Sequence, residues 1–427
     1  MKIKVTDKPY EEVINLPKMK ALKPKKQSAL ARGILNLASG GEIKAVNFKY
    51  EEIGMEKLGK DEPALFLMNH SSFTDLCICA RMLKDRQYHI ITTNDGFVGK
   101  AGLMQFIGCI PTKKFITEIG LIKDMQYTFE TLKSSILMFP EASYSFDGSE
   151  TPLPLSLGKL IKKMRIPVVI IKTTGAYLRD PLYNNLQKRK ADVFSTVTYR
   201  ITPEMSDTLS VDEINDILAS DFRYDHFRDQ VKRGVKISEA FRADGLERPL
   251  YKCPCCKKEG TMLGKGITIK CNSCGFEAEL TEKGTLKYLR LPAGEDLKPV
   301  AEFMYVPDWY AWERECVKEE LVNGSYEMTF DCDILMLADF NSMYRVGEGT
   351  LTHNCEGFKL TGCDGKLDYA QKPKASYSLY ADYFWYEIGD MVSVGNTKYQ
   401  YYCFPKDQKG AIVAKARLAA EELYKLS

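Results

Sequence analysis

Three absences narrow the classes to which this sequence of 427 residues can belong. It contains no run of about eighteen uninterrupted apolar residues, so it predicts no membrane-spanning helix. Its opening stretch, MKIKVTDKPYEE, has no apolar core, so we expect no secretory signal. Its formal net charge is only +3, and a hydrophobic content of 44% is ordinary for a folded, soluble protein. The length favours roughly two or three domains.

Histidine is scarce, with four residues, whereas cysteine is frequent, with thirteen. An odd number of cysteines in a long chain argues against a secreted disulfide framework. Four of them form two Cys-x-x-Cys pairs, which indicates a metal site in a reducing compartment. We therefore expect a cytoplasmic protein.

Between about residue 46 and residue 210, strand-like and helix-like segments alternate. Apolar stretches such as PALFLMN, YHIITT and SILMFPE predict strands, and amphipathic stretches such as SSFTDLCICARML predict helices. This alternation predicts an α/β domain, a mostly parallel sheet flanked by helices, over residues 1–249. His70 and Glu141 both follow predicted strands, so they fall at the sheet edge where functional side chains gather.

Residues 250–289 form a short, cysteine-dense segment. Cys253 and Cys256 are separated by fourteen residues from Cys271 and Cys274, a spacing typical of a zinc ribbon with four thiolate ligands. A segment of this size has little core, so bound zinc would supply the missing folding free energy. A nucleic-acid or protein-binding ribbon is the alternative. The segment has no dense basic patch, so we favour a structural role and expect no nucleic acid.

Residues 290–427 read as a β-rich α+β domain. Aromatic, strand-like stretches are separated by turns that contain Gly or Asn, and an amphipathic helix ends the sequence. This layout is faintly similar to pleckstrin-homology-like or GRAM-like lipid-binding domains, on topology alone. Trp309, Tyr310 and Trp312 are better explained as core aromatics than as a membrane anchor. His226 and His353 have no clustering partners, and we expect both to be structural or surface residues.

His70 and Asp75 lie where a strand-like stretch gives way to a helix-like one. An aspartate on one ring nitrogen would orient the histidine as a general base toward a hydroxyl. In the alternative interpretation, Asp75 supports the helix N-terminus and His70 is packed. For the pair alone the alternative is favoured, because short motifs often match by chance.

Four ordered blocks resemble the glycerolipid acyltransferases, the 1-acylglycerol-3-phosphate acyltransferase family. NHSSFTD (69–75) is similar to the family signature Asn-His-x-Ser-x-x-Asp, and the later blocks are GCIPTKK (108–114), FPEASYS (139–145) and IPVVIIK (166–172). The resemblance covers roughly residues 25–210. Blocks in this order on an α/β pattern favour the catalytic interpretation of His70.

The resemblance implies an O-acyltransferase. His70 would take the proton of an acceptor hydroxyl, Asp75 would orient His70, and the alkoxide would attack a thioester donor, acyl-CoA or acyl carrier protein. Glu141 would complete the catalytic set by binding acceptor hydroxyls or ordering the loop. The implied acceptor is a lysophospholipid such as 1-acyl-glycerol-3-phosphate. The family blocks imply this acceptor-binding set: Asn69, Gly108, Lys113, Lys114 and Ser143.

Two departures from the family pattern concern the acceptor. The third block usually reads Gly-Thr-Arg where this sequence has Ala142, Ser143 and Tyr144. This change removes an arginine guanidinium, whose paired N–H groups suit phosphate. Lys114 stands where the family has arginine, so charge is kept but bidentate geometry is lost. Acyl transfer to a different lipid acceptor, and an inactive lipid- or protein-binding module, therefore stay open.

The N-terminal region suggests a membrane surface. Lysines concentrate in KMKALKPKK (18–26), ahead of a predicted helix on which Leu30, Ile34 and Leu37 share one face. Each lysine near an anionic membrane contributes on the order of 1 kcal/mol. We expect peripheral binding to the inner face of a membrane. A helix packed on its own domain beside a solvated basic loop is an equally good reading of the sequence.

Overall fold

The computed structural model describes residues 2–17, 19, 21–114, 119–294, 298–407 and 411–427. Lys18 and Lys20 of the predicted basic stretch lie outside these ranges. The strands of the first part are β1 (Val5–Asp7), β2 (Lys49–Ile53), β3 (Leu65–Met68), β4 (Tyr88–Thr93), β5 (Cys109–Thr112), β6 (Ser135–Met138), β7 (Val168–Thr174) and β8 (Phe194–Ile201). Its helices are α1 (Tyr10–Ile14), α2 (Ala29–Ala45), α3 (Thr74–Met82), α4 (Ala101–Phe106), α5 (Ile119–Glu130), α6 (Ser156–Met164), α7 (Ala176–Arg179), α8 (Pro203–Thr208), α9 (Val211–Asp221) and α10 (His226–Arg233).

Strands β2 to β8 form one sheet in the order β2-β8-β7-β3-β6-β4-β5. Strands β3 to β7 run parallel, whereas β8 runs antiparallel to β7, and β2 pairs in parallel with β8. The sheet is therefore mixed, and it is mostly parallel as predicted, since β7–β8 is the antiparallel pair among its six strand pairs. The antiparallel pair arises because the chain reverses after β7 without a crossover, so β8 returns alongside it.

Strand β3, at the centre of the sheet, is apolar throughout because helices cover both faces of the sheet. All four residues of β3 are buried, and the apolar residues on its two sides belong to separate core clusters. The predicted helical tail of this region is shorter than the sequence suggested. Helix α10 ends at Gly234, which adopts the left-handed conformation (φ 68°), and residues 235–249 form turns and irregular structure.

The cysteine-dense segment folds as a small antiparallel sheet. Its strands are β9 (Met262–Lys265), β10 (Thr268–Cys271), β11 (Glu277–Leu280) and β12 (Leu286–Arg290), in the order β12-β11-β10-β9. The sulfurs of Cys253, Cys256, Cys271 and Cys274 all lie within 4.8 Å of one another. This group could hold a metal ion.

The last part of the chain is β-rich, as predicted. Helix α11 (Val306–Val322) precedes β13 (Glu327–Leu337), β14 (Met343–Asn354), β15 (Gly357–Gly362), β16 (Leu367–Gln371), β17 (Tyr380–Trp385), β18 (Gly389–Gly395) and β19 (Gln400–Pro405), and α12 (Ala411–Leu426) follows them. Neighbouring strands are antiparallel, in the order β16-β15-β14-β13-β19-β18-β17. Trp309 is fully buried and Tyr310 nearly so, which supports the core interpretation of that aromatic group.

Strand β1 joins the C-terminal sheet although it begins the sequence. It pairs in parallel with β14, with Val5 opposite Met343 and Asp7 opposite Arg345. The expected first domain, residues 1–249, therefore contributes a strand to the region beyond residue 290. Among the described helices, none has the length and apolar character that crossing a bilayer requires.

Candidate active site

The carboxyl ends of two neighbouring parallel strands bring His70 and Glu141 together. Strand β3 ends at Met68 and β6 ends at Met138, and the two strands pair directly. The carboxylate oxygen Oε2 of Glu141 accepts the backbone N–H of His70 at 2.8 Å. The expectation that these residues share one edge of the sheet is met in the structure.

His70 and Asp75 form a hydrogen-bonded pair. His70 Nδ1 lies 3.0 Å from Asp75 Oδ2, and the same oxygen accepts the backbone N–H groups of Ser71 at 2.8 Å and Ser72 at 3.0 Å. Because a carboxylate only accepts, Nδ1 carries the proton and Nε2 keeps a lone pair. Nε2 has no hydrogen-bond partner among the described residues. Burial lowers the pKa of His70 below its usual 6.5, against the raising effect of Asp75, so the neutral form persists.

The His70 ring lies between two aromatic rings. Its centroid is 4.0 Å from that of Phe139 and 3.9 Å from that of Tyr144, both stacked. Tyr144 in turn stacks on Phe73 at 5.3 Å. Tyr144 occupies the position where the family block has arginine. In this chain that position therefore packs against the histidine ring instead of offering a charge.

Glu141 is fully engaged in holding the loop. Besides the His70 amide, it accepts hydrogen bonds from the Thr151 amide at 2.8 Å and the Tyr224 hydroxyl at 2.8 Å. It is 1% exposed, and burial raises its pKa to about 7. Of the two roles expected for Glu141, the geometry favours ordering the loop over contacting an acceptor.

His226, a residue outside the His70–Asp75 pair, holds the Ser71 hydroxyl in place. His226 Nδ1 accepts the Gly175 amide at 3.1 Å, so its proton sits on Nε2, which donates to Ser71 Oγ at 2.9 Å. Burial lowers the pKa of His226 to about 3, so it stays neutral. Sequence patterns could not predict this contact, since 155 residues separate the two partners.

A cavity of about 1320 Å³ opens beside His70. Lys113 and Lys114 line it. Its other walls include Leu35, Phe73, Leu76, Leu103, Asp180 and Leu155. A cavity of this size can enclose a large, partly apolar ligand next to the unpartnered Nε2.

Three of the expected acceptor-binding residues do not line this cavity. The Asn69 side chain exchanges two hydrogen bonds with the Thr173 backbone and joins β3 to β7. Gly108 has φ 87°, and a Cβ there would come within 3.2 Å of the Tyr88 carbonyl oxygen. Ser143 is 2% exposed. In the structure these three residues shape the backbone around the site.

The C-terminal region closes one side of the cavity. Tyr380, Asp382 and Tyr383 of β17 line it, together with residues of α12. The ammonium Nζ of Lys114 lies 3.9 Å from the centroid of the Tyr380 ring, a cation–π contact. The sequence did not anticipate this wall, because its residues follow Lys114 by more than 260 positions.

Arg417 of α12 binds the third family block. Its Nη1 donates to Ser143 Oγ at 3.1 Å and to the Tyr144 carbonyl oxygen at 3.0 Å, and its Nε donates to Glu421 at 3.2 Å. The guanidinium carbon also lies 4.4 Å from the centroid of the Phe146 ring. A buried arginine from the C-terminal helix thus fixes the backbone that carries Tyr144 against His70.

Removing this arginine should loosen the loop over His70. We expect Arg417→Met to speed amide hydrogen exchange in peptides spanning residues 139–151 by about tenfold or more. The reason is that hydrogen bonds to a charged group contribute about 1.5–3 kcal/mol. Arg345→Met, at an exposed arginine of β14, is the matched control and should leave the same peptides unchanged. Equal exchange in both variants would contradict this role of Arg417.

Comparison with known proteins bears on this arrangement. Residues 49–172 match a family model described as acyltransferase. Among solved structures, the chain is similar to the crystal structure of the 1-acyl-sn-glycerophosphate (LPA) acyltransferase PlsC from Thermotoga maritima. That likeness has 16% sequence identity and a TM-score of 0.34, and it covers 48% of this chain and 78% of that chain. The search among curated proteins gives no match.

The family match spans all four blocks. It includes His70, Asp75, Lys114 and Glu141. The family prediction made from these blocks is thereby confirmed. Residues 49–172 form a domain of the acyltransferase family.

Proposed function

We propose that this protein is an O-acyltransferase. It moves a fatty acyl group from a thioester donor, acyl-CoA or acyl carrier protein, to the free hydroxyl of a lysophospholipid such as 1-acyl-glycerol-3-phosphate. The observation that carries the proposal is the pairing of His70 with Asp75 beside a cavity of about 1320 Å³. The acyltransferase family match over residues 49–172 supports it.

The proposed reaction is a direct transfer. His70 Nε2 takes the proton of the acceptor hydroxyl while Asp75 stabilises the imidazolium through Nδ1. The hydroxyl oxygen bonds to the thioester carbonyl carbon, giving a tetrahedral intermediate. The carbon–sulfur bond then breaks, and the departing thiolate takes the proton from His70. No acyl-enzyme forms, so no nucleophilic serine or cysteine is required.

Lys113 and Lys114 are the proposed partners for the acceptor's phosphate, as cationic side chains at the cavity wall. Tyr144 in place of the family arginine weakens that part of the proposal and favours, as second candidate, the same transfer to a different lipid acceptor. An inactive binding module is the third. The hydrogen-bonded pair and the free Nε2 argue against it, since a module without catalysis has no need of either.

The remaining regions have proposed supporting roles. We divide the chain into an acyltransferase region (1–249), a ribbon (250–289) and a C-terminal domain (290–427), with β1 added to the last. The order of β13 to β19 and the helix that follows support a PH- or GRAM-like domain that helps to dock the protein on lipid. The whole protein would act in phospholipid biosynthesis at the cytoplasmic face of a membrane.

Zinc is the proposed occupant of the four-cysteine group. The Sγ atoms of Cys253 and Cys274 are 3.7 Å apart, as are those of Cys256 and Cys271. Four sulfurs at about 2.3 Å from one tetrahedral zinc ion lie about 3.8 Å apart. The spacing therefore fits. Bound zinc would stabilise the ribbon and take no part in acyl transfer.

The proposed membrane contact is the exposed face of α2. Leu30 is 69% exposed, Leu37 is 82% exposed, and Ile34 is also exposed. Lys23 and Lys26 precede the helix and are exposed too. Apolar side chains beside lysines suit an anionic bilayer surface. Several apolar residues at the cavity wall are exposed as well, namely Phe73, Leu76, Leu103 and Leu155.

Replacing the proposed base should abolish transfer. We expect His70→Ala to lower kcat by about 10²–10⁴-fold, because a positioned general base contributes that much. The measurement is release of free thiol from acyl-CoA with 1-acyl-glycerol-3-phosphate. His353→Gln, at a buried histidine of β14 remote from the cavity, is the control and should keep normal turnover. A folded His70→Ala enzyme of near-normal rate would refute the assignment.

Metal analysis tests the ribbon. The purified protein should contain about one zinc per chain, and Cys271→Ser should lose it, because three thiolates bind zinc more weakly. Cys255→Ser is the matched control, since Cys255 is buried beside the group but is not one of its four members. Absence of zinc from the unaltered protein would reject the site. Zinc loss in the control would mean that the ligand register is wrong.

Vesicle sedimentation tests the surface on α2. The protein should sediment with vesicles containing phosphatidylglycerol, and Leu30→Glu/Leu37→Glu should bind at least about tenfold more weakly. Burying a leucine is worth about 1.5–3 kcal/mol, and the new charges repel the lipid. Val322→Glu is the control, at a residue as exposed as Leu30, 69%, but on α11. Failure of the unaltered protein to bind these vesicles would count against the proposal.

A further inference from the structure

One end of the cavity holds charges of both signs around a tyrosine. The Tyr380 hydroxyl donates to Asp95 Oδ2 at 2.9 Å and accepts from Trp385 Nε1 at 2.9 Å, while Lys114 lies over its ring. Lys114 interacts electrostatically with both Asp95 and Asp382. Lys100, which also lines the cavity, is attracted by Asp95. We name Asp95, Lys100, Lys114 and Asp382 the charged cluster.

Each carboxylate of the charged cluster has one oxygen atom without a donor in the described part of the chain. Asp95 is 2% exposed and Asp382 is 8% exposed, and the Oδ1 atom of each has no hydrogen-bond partner among the described residues. A buried polar atom without a partner is costly, and a charged one more so. Burial raises the pKa of Asp382 to about 7. Within that result Lys114 lowers the pKa and Asp95 raises it, and the effect of Lys114 does not offset burial. The carboxylates would therefore be stabilised by a cationic donor.

The charged cluster as a whole is balanced. Two carboxylates face two ammonium groups, and Arg417, whose charge also acts on Asp382, is paired with Glu421. A phosphate monoester carries close to two negative charges at neutral pH. It would meet Lys114 but would also approach two buried carboxylates, and like charges in a cavity repel strongly.

We propose that the preferred acceptor is a zwitterionic lysophospholipid whose head group combines a phosphodiester with a protonated amine. The amine donates to Asp382 and Asp95, and the phosphodiester oxygen meets Lys114. A head group with both charges matches a cluster with both charges and adds no net charge to it. The free hydroxyl of the glycerol portion is left for His70 in the same cavity.

This inference rests on the proposed acyl transfer and adds the class of acceptor. It also accounts for Tyr144 in place of the family arginine. A singly charged phosphodiester does not need the bidentate contact that an arginine guanidinium makes with phosphate. The specificity-determining residue would come from β17 of the C-terminal region. Asp382 lies far along the chain from every family block.

Acceptor competition tests the inference. With one acyl-CoA donor, kcat/KM should be at least about tenfold higher for a lysophospholipid with an ethanolamine head than for 1-acyl-glycerol-3-phosphate. Asp382→Asn should erase that preference by lowering kcat/KM for the ethanolamine acceptor about tenfold while leaving the monoester acceptor equal or better. Asp368→Asn, at an exposed aspartate of β16, is the matched control and should keep the preference.

The outcomes separate the two proposals. Preference for the monoester in the unaltered enzyme, or an unchanged ratio in Asp382→Asn, would overturn the zwitterion inference and leave acyl transfer standing. Equal use of a lysophospholipid with a glycerol head would also overturn it, because hydroxyl donors would then suffice. Consumption of acyl-CoA with none of the three acceptors, in a protein that binds the donor, would overturn the proposed function itself.

Discussion

The site depends on three hydrogen bonds that one carboxylate oxygen of Asp75 accepts. By taking the His70 ring and the amides of Ser71 and Ser72 together, Oδ2 fixes both the imidazole and the turn that leads from β3 into α3. Glu141 holds the same turn from the neighbouring strand through the His70 amide. Asp75 thus holds the imidazole at Nδ1, Glu141 holds the backbone of His70, and two stacked aromatic rings hold the two faces of the imidazole. General-base catalysis requires such preorganisation.

What the sequence predicted well was local. His70 and Asp75 are five residues apart, and the paired cysteines are close in sequence, so short spacing rules apply to both. The strands β3, β4 and β6 follow from short apolar runs of ordinary composition. The direction of β8 was not predicted, because hydrophobic runs look alike in parallel and antiparallel neighbours once both faces are buried.

What the sequence missed was contact over long separations. His226 reaches Ser71, Arg417 reaches Ser143, and Tyr380 reaches Lys114 only through the fold. No periodicity encodes such contacts, and each of these residues looks ordinary in its own segment. The family blocks also overstate direct binding: Asn69 and Gly108 are explained by the backbone geometry they maintain. The motifs therefore predicted the contact between His70 and Asp75 more reliably than the lining of the cavity.

The parallel pairing of β1 with β14 has a consequence for biosynthesis. Val5 is synthesised 338 residues before its partner Met343. At about 5–20 residues per second, β1 waits for tens of seconds before it can pair. The α/β sheet can form in that interval, whereas the C-terminal sheet is completed only when β14 has been made and β1 pairs with it. This late pairing closes a loop of chain that contains the whole acyltransferase-family domain, residues 49–172.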